Sequence, residues 1–494
     1  MPCNPNGSGR HSRSTMSPVD YTGHMPTLPD DLKRELTAVL GADGLLLDPS
    51  ERLAYGYDNS RKQALPDAVA LPTTTDQVVA LVKLCRQQRV PITARGRGTN
   101  TTGASVPIAG GLVVGFERMN RLIAIRPGDR VAVVQPGLLN GDLQTALKTH
   151  GLFWPPDPTS APYCTIGGNL ACNAGGPHAV KYGATRDNVL AVTAVTGAGE
   201  LIRCGAPTTK GATGYDLSRI LIGSEGTLAL IVEATLRLTP IASRRRGLRA
   251  LYRDVASAAN AVARIMAQPV TPSMLEFMDG ECVRLAREHM SSQSGGVELP
   301  EAGALLLIEV DGEEASLDAA VAALERAAQG DGCLGIASAL DELARETLWA
   351  ARKALSPALR TIAPGKINED VVVPPSRVPA LVEAVTAIAA EFALKIVCFG
   401  HVGNGNLHVN ILYDPADGAE SARAQSALAK IFDAVIALDG QLSGEHGIGL
   451  SKRDFMARAI NPATLATMHG IKSLFDPDGI LNPGKVLPHT DVQP

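Results

Sequence analysis

From Ala68 onward the chain switches repeatedly between two hydrophobic periods. Short apolar, β-branched runs have strand length and end at Gly or Pro: AVALP (68–72), PITAR (91–95), GLVVGF (111–116), VAVVQPG (131–137), VLAVTAVTG (189–197) and LALIVEATLRL (228–238). Helical spacing separates them. DDLKRELTAVLG opens at Asp30 and closes at Gly41, and QVVALVKLCRQQR follows Asp76 as its expected N-cap. These runs predict one α+β domain over 27–243. A basic run, Arg244-Arg245-Arg246, reads as a solvated strap into a second pattern over 244–440. That pattern holds helices at SAANAVARIMAQ (257–268), ASLDAAVAALERAAQ (315–329), around Trp349 and from Arg377 to Glu391. It also holds the strand ALLLIEVDG (304–312) and a hairpin near 401–410, so helices backing a sheet form a second α+β layer. The last stretch, 441–488, contains a helix and a turn placed to return to the first domain and close the interface, where ligand pockets tend to lie.

Composition narrows the class. The 494 residues are 45% hydrophobic and 19% charged, as in globular proteins, and the formal net charge of −4 excludes a broadly basic nucleic-acid surface. Eight cysteines form no C-x-x-C pair, which argues against a disulfide framework and fits a reducing compartment. No run of eighteen apolar residues predicts a transmembrane helix. Residues 1–26 are polar and rich in Gly, Pro and Ser without the apolar centre of a secretory signal, and read as a disordered tail, with Met16 or Met25 as later starts.

Glycine, at 49 residues, is the feature that carries chemistry. Arg95-Gly96-Arg97-Gly98-Thr99-Asn100-Thr101-Thr102-Gly103 follows a strand directly. Its glycines let backbone N–H groups approach a phosphate, while Arg, Thr and Asn add donors. It is not a dinucleotide fingerprint of the Rossmann kind, because the third glycine, the immediate helix and the following acid are missing. Thr165-Ile166-Gly167-Gly168-Asn169 with Gly175-Gly176 forms a second cluster. A third joins Lys210 to Asp216 with Gly223-Ser224-Glu225-Gly226-Thr227. Three such loops fit an extended ligand touching backbone at both ends. Gly479 to Lys485 matches a P-loop only superficially, since Val486 replaces the hydroxyl residue and Pro483 removes a donor.

The second domain offers a metal site. Centring a turn on Asn404-Gly405 in GHVGNGNLHVN places His401 opposite His408, within reach of one ion, with Asn410 on the same face. Glu445 in SGEHGIG supplies a third ligand and leaves His446 as a general base. Two imidazoles and a carboxylate suit zinc first, with manganese and iron open. Arg352 and Lys366 are the cations available for a substrate carboxylate.

Taken in order, the blocks PITARGRGTNTTGASVP, PPDPTSAPYCTIGGNLACNAGGP, TGYDL, GSEGTLALIVEATLRL, GHVGNGNLHVN, SGEHGIG and ILNPGK resemble FAD-linked oxidases of the p-cresol methylhydroxylase and vanillyl-alcohol oxidase type. The branch is that of D-lactate dehydrogenase, the glycolate oxidase D subunit and D-2-hydroxyglutarate dehydrogenase. The resemblance implies a two-domain α+β fold with FAD on the first domain and substrate on the second. It places the FAD pyrophosphate on Arg95, Gly96, Arg97, Gly98, Thr99, Asn100 and Gly103. Pro156, Asp157, Thr165, Gly168, Asn169, Gly175, Gly176, Glu225, Gly226, Ile231 and Asn482 would line the remainder. It also implies metal ligation by His401, His408 and Glu445, with Asn410 near substrate and His446 as base. Binding of FAD is expected to be non-covalent, with His178 as the conceivable tether set aside. Ser356 keeps a hydroxyl four residues after Arg352. Where D-2-hydroxyglutarate enzymes carry Lys two residues before an Asp, Asn368 precedes Asp370 here, which leaves recognition of a second carboxylate open. The activity implied is oxidation of a small D-2-hydroxy acid by hydride transfer to flavin N5. Electrons then pass to a quinone, a cytochrome or an electron-transfer flavoprotein. A cytoplasmic location is expected, with attachment to the inner membrane surface and a homodimer as open alternatives.

Overall fold

A computed structural model describes residues 28–291, 299–339 and 341–488; the expected tail at 1–26 lies outside them. Three larger sheets organise the chain. In the first, Leu45–Leu46, Ala68–Ala70, Leu112–Gly115 and Ile92–Arg95 lie in that order, the last three mutually parallel. The second is antiparallel, in the order Leu122–Arg126, Val131–Val134, Ala229–Arg237, Val189–Thr196, Leu201–Gly205. The helix Thr75–Gln87 covers the first sheet through Val78, Leu81, Val82 and Cys85. Its N-cap is Thr74, whose side chain accepts from the Gln77 N–H, rather than Asp76. Asp76 falls inside the first turn, where its charge suits the helix dipole without capping it.

The third sheet is a seven-stranded antiparallel one, ordered Cys333–Ala339, Arg244–Tyr252, Ala304–Gly312, Met274–Asp279, Lys395–Gly400, Asn406–Tyr413, Gly365–Val372. The arginine run is therefore not a strap. It begins a strand paired on both sides, with Arg245 opposite Asp311 and reaching toward Glu309. Its alternation is hidden in the sequence because arginine occupies successive positions at the sheet's rim. Six helices back this sheet. Val255–Ala267, Glu314–Ala328, Val378–Phe392 and Gly418–Ala437 pack on one face against Leu248, Leu275, Phe277, Leu306, Ile308, Val409 and Ile411.

The period-two alternation of these strands sends the intervening residues to the opposite face. There Leu305, Leu307, Met278, Val397 and Leu412 pack under the helices Gly280–Ser291 and Glu342–Ile362. The same face carries Glu276, His408, Asn410, Asn368 and Asp370, with Asn368 opposite Asn410 and Asp370 opposite His408. One face is thus an aliphatic core, and the other is half core and half polar site.

After the helix Pro462–Phe475 the chain does return to the first sheet. Leu481 bridges Ile92 in parallel, with Ile92 N–H on the Ile480 carbonyl and Asn482 N–H on the Ile92 carbonyl, both at 2.7 Å. Among the described residues no helix is long and apolar enough to cross a membrane, and seven cysteines are free.

Candidate active site

The connection between Lys395–Gly400 and Asn406–Tyr413 is longer than a two-residue turn. Residues Val402–Asn404 form a 3-10 turn, and the strand register sets Phe399, not His401, opposite His408. The Asn404-Gly405 signal does mark the reversal, since Gly405 has φ 74, but the loop begins at His401. His401 nonetheless reaches the same place from the loop, and its ring meets that of His408 edge-on at 5.3 Å. His401 Nε2 lies 3.4 Å and His408 Nε2 3.6 Å from Glu445 Oε1, and the three groups offer ligand atoms within 4.8 Å of one another. Two imidazole nitrogens and a carboxylate at these separations fit a divalent ion of the zinc type.

A carboxylate that sequence reading missed orients this set. Glu276, 1% exposed, accepts from His401 Nδ1 on one oxygen and from Arg352 Nε at 2.9 Å on the other. A histidine whose second nitrogen is held in this way presents the first with fixed tautomer and direction. Burial alone would raise Glu276, but His401 and Arg352 hold it down at about 2. Burial likewise opposes the charge on His401, yet Glu276 and Glu445 keep it well above the usual imidazole range. His408 goes the other way, to about 3, through burial and the neighbouring positive His401. Burial would raise Glu445 too, and His401 lowers it. The set thus combines a neutral imidazole, a charged imidazole–carboxylate pair and a further buried carboxylate.

His446 stacks on His408 with ring centroids 5.4 Å apart. Its Nδ1, His408 Nδ1, Asn410 Oδ1 and Asn368 Oδ1 are all buried without a hydrogen-bond partner. Buried polar atoms are almost always paired, and three of these four belong to cavity-lining residues, Asn368, His408 and His446, which marks a ligand's place; Asn410 lies behind them and does not line the cavity. Arg352 stands beside them with its guanidinium 4.5 Å from the Phe399 ring centroid, which steadies it for a planar carboxylate.

One cavity of about 640 Å³ joins this wall to the glycine loops. It is lined on one side by Arg95, Gly96, Arg97, Gly98, Thr99, Asn100, Thr165, Gly168, Asn169, Glu225, Gly226 and Ile231. Arg352, Lys366, Asn368, His408, Glu445 and His446 line the other. The first two glycine loops abut, since a Cβ on Gly96 would fall 2.5 Å from Thr165 Oγ1 and 3.8 Å from the Gly168 Cα. Such close backbone leaves N–H groups and space where a pyrophosphate and ring system could lie. The third cluster divides. Ser224 to Gly226 line the cavity, whereas Lys210 to Tyr215 are exposed, with open space around Gly211 and Gly214.

Other expected contacts sit behind the cavity wall. Gly103 lies against Leu450, and the Pro156 carbonyl accepts from Asn140. A Cβ on Gly175 would come within 3.0 Å of Glu445 Oε2, and one on Gly176 within 2.5 Å of Asp157 Oδ1. Asn482 donates to the carbonyls of Ala104 and Glu225 and accepts from Lys485. The Ser356 side chain lies outside the described residues. His178 is held between Asp157 and Glu309 and does not line the cavity.

A second missed residue is Asp370, fully buried and opposite His408. Its signal was a set of polar residues, Lys366, Asn368 and Asp370, at alternate positions of one strand, blurred by the charged Glu369 between the last two. Burial would raise its carboxyl, but His446, Lys452, His408 and backbone N–H donors hold it well below the usual range.

This fold and cavity define a flavin-linked oxidoreductase, and comparison with known proteins agrees. The family model "FAD linked oxidases, C-terminal domain" matches residues 241–486, and "FAD binding domain" matches 66–205. Glycolate oxidase subunit GlcD of Bacillus subtilis (strain 168) is 37% identical over 458 residues, covering 92% of this chain and 96% of its own. D-lactate dehydrogenase of Anaerostipes hadrus is 35% identical over 431 residues, covering 86% and 90%. Among solved structures, p-cresol methylhydroxylase with substrate bound superposes with a TM-score of 0.72 at 17% identity, covering 92% of this chain and 96% of its own, and shares the fold. The chain belongs to the FAD-linked oxidases, of the type that includes GlcD and D-lactate dehydrogenase.

Proposed function

We propose that the protein oxidises a small 2-hydroxy acid, D-lactate or a near relative such as glycolate or D-2-hydroxyglutarate, to the 2-oxo acid in a metal-dependent reaction. The observation that carries this reading is the single cavity shared by the glycine loops and by Arg352, His408, Glu445 and His446. FAD held by the glycine loops would supply a hydride acceptor, and a divalent metal held by His401, His408 and Glu445 would supply a Lewis acid that acidifies a hydroxyl.

The chain's own residues bind, orient and deprotonate. Arg352, fixed through Nε by Glu276, keeps its terminal N–H groups for the substrate carboxylate. Lys366 lines the same end of the cavity. Asn368 offers an unpaired carboxamide oxygen there, and Asn410 backs it from the neighbouring strand. His446 takes the hydroxyl proton; its backbone is held while its ring faces the cavity. Electrons leave to a separate acceptor, a quinone, a cytochrome or an electron-transfer flavoprotein.

The test is a flavin absorption spectrum watched while D-lactate, glycolate, D-2-hydroxyglutarate and D-malate are added in turn. One of them bleaches the flavin of the wild type. Chelation abolishes the bleaching and Zn²⁺ or Mn²⁺ restores it; bleaching that survives chelation would leave a metal-independent alcohol oxidase. His446→Ala retains FAD and loses reduction by at least about 100-fold. Reduction at the normal rate in that variant would remove His446 from the mechanism. Because one relative is named as a subunit, turnover of the purified chain with an artificial acceptor decides whether it acts alone.

A further inference from the structure

The loop Ser443–Gly449 brings Glu445 and His446 to the cavity, yet it belongs to no helix or strand. Its backbone donors must therefore find partners elsewhere. Gly444, Glu445 and His446 donate their N–H groups to a single oxygen, Asp370 Oδ2, at 2.9, 2.8 and 2.8 Å. Ser443 Oγ donates to the same oxygen at 2.9 Å and accepts from the Gly447 N–H at 2.9 Å. Ile448 and Gly449 donate to the two oxygens of Glu225 at 2.6 and 2.9 Å. On the acceptor side, Asn100 Nδ2 donates to the His446 carbonyl at 2.8 Å, and the Lys452 and Val486 N–H groups donate to the Ile448 and Gly449 carbonyls, both at 3.1 Å.

Every N–H from Gly444 to Gly449 thus ends on Asp370, Ser443 or Glu225. The two carboxylates come from opposite sides. Asp370 belongs to the edge strand of the seven-stranded sheet, whereas Glu225 belongs to a glycine loop that lines the flavin side of the cavity. Glu225 is held at φ 52, a left-handed conformation uncommon outside glycine, which aims its carboxylate across the interface. Contact there is close, since a Cβ on Gly447 would fall 2.7 Å from Glu225 Oε1.

We propose that Asp370 and Glu225 are paired positioning residues. They suspend the Ser443–Gly449 loop between the sheet that carries the histidines and the loops that line the flavin side, and so fix Glu445 and His446 relative to both. Neither needs to touch substrate. Asp370 sets the metal-facing half of the loop and Glu225 the flavin-facing half. Their effect on turnover rests on the function proposed above, whereas the anchoring does not.

Hydrogen exchange of the full-length protein, followed on overlapping peptides, reads the anchoring without any activity. In Asp370→Asn the amides of 444–446 exchange faster by about tenfold, and in Glu225→Gln those of 448 and 449 do so, each without the other half. Ser443→Ala, which removes only a hydroxyl, gives the matching test at Gly447 if Asp370→Asn does not fold. Unchanged exchange at these amides would overturn the anchoring.

Kinetics at matched FAD and metal content read the positioning. Glu225→Gln keeps KM within about threefold and loses about 100-fold in kcat, as a displaced but intact base should. Altered exchange with wild-type kcat would overturn the positioning role and leave a structural tether. If the wild-type flavin is bleached by no 2-hydroxy acid, the functional reading fails and the positioning role fails with it, while the exchange data still decide the anchoring.

Discussion

Glu276 joins two chemical tasks in one side chain. Its two oxygens are divided between His401, a metal ligand in our reading, and Arg352, the carboxylate binder. Neutralising it by Glu276→Gln therefore affects both at once. A Gln leaves one partner facing an amide N–H instead of a carboxylate, and loses the charge that orients and polarises the His401 ring. Metal affinity falls by about 10–100-fold, the range typical of lost outer-shell carboxylates, and KM for the hydroxy acid rises as Arg352 loses its brace. Titration of the apo protein with Zn²⁺, alongside steady-state kinetics at saturating metal, separates the two effects. Unchanged zinc affinity would show that Glu276 braces the arginine alone. The strand Met274–Asp279 was not read from the sequence, and nothing local says that the acid between Leu275 and Phe277 is buried rather than solvated.

At the scale of elements, alternation exposed Ala304–Gly312 and the hairpin near 401–410 but left Met274–Asp279, Cys333–Ala339 and Gly365–Val372 unread, and long-range pairing was harder still. Asn404-Gly405 located the chain reversal, but the loop length that displaces His401 from the register depends on the 3-10 turn, which packs Val402 into the core. The arginine-rich strand was misread because its charged residues pair with Glu309 and Asp311, which lie some 65 positions further along the chain. That same strand pair receives the segment His178–Tyr182. Lys181 and Tyr182 bind Asp311, and His178 bridges Asp157 and Glu309. Burial alone would lower His178, yet the two carboxylates raise it to about 9. A histidine whose folded pKa exceeds its unfolded value stabilises the fold fully below 6.5, and this contribution is lost as pH rises through 9. The loss amounts to about 3 kcal/mol at most, since Arg245 and Arg345 also compensate Glu309. Urea denaturation between pH 6 and 9.5 should show stability declining across that window, and His178→Gln should flatten the decline. A slope unchanged in the variant would place the titration elsewhere.

For the whole molecule, the glycine loops, the two histidines and the Glu-His pair were readable because each is a local cluster. What assembles them was not, because the connecting side chains are far apart in sequence: Asp370 with 444–446, Glu225 with 448–449, Asn482 with 92, 104 and 225. Asn482 is the junction that reaches furthest. Its backbone N–H holds the Ile92 carbonyl at the edge of the first sheet, and its amide donates to Ala104 and Glu225 at 2.9 and 2.7 Å. Its oxygen takes the Lys485 ammonium, which burial pushes down to about 7, while burial pushes Glu225 up to about 7. Asn482→Ala would leave two buried carbonyls and that lysine without their partner, at about 1–3 kcal/mol for each group. It would also place an alanine at φ 42, where asparagine is better tolerated. The C-terminal return then loosens from the loop that carries Glu225, so the denaturation midpoint falls and flavin retention on gel filtration falls with it. Asn482→Asp keeps an acceptor for Lys485 but loses the amide donors, and should lie between the two. A variant that keeps the wild-type midpoint and full flavin would show that the Ile92–Leu481 bridge closes the molecule without help from this side chain.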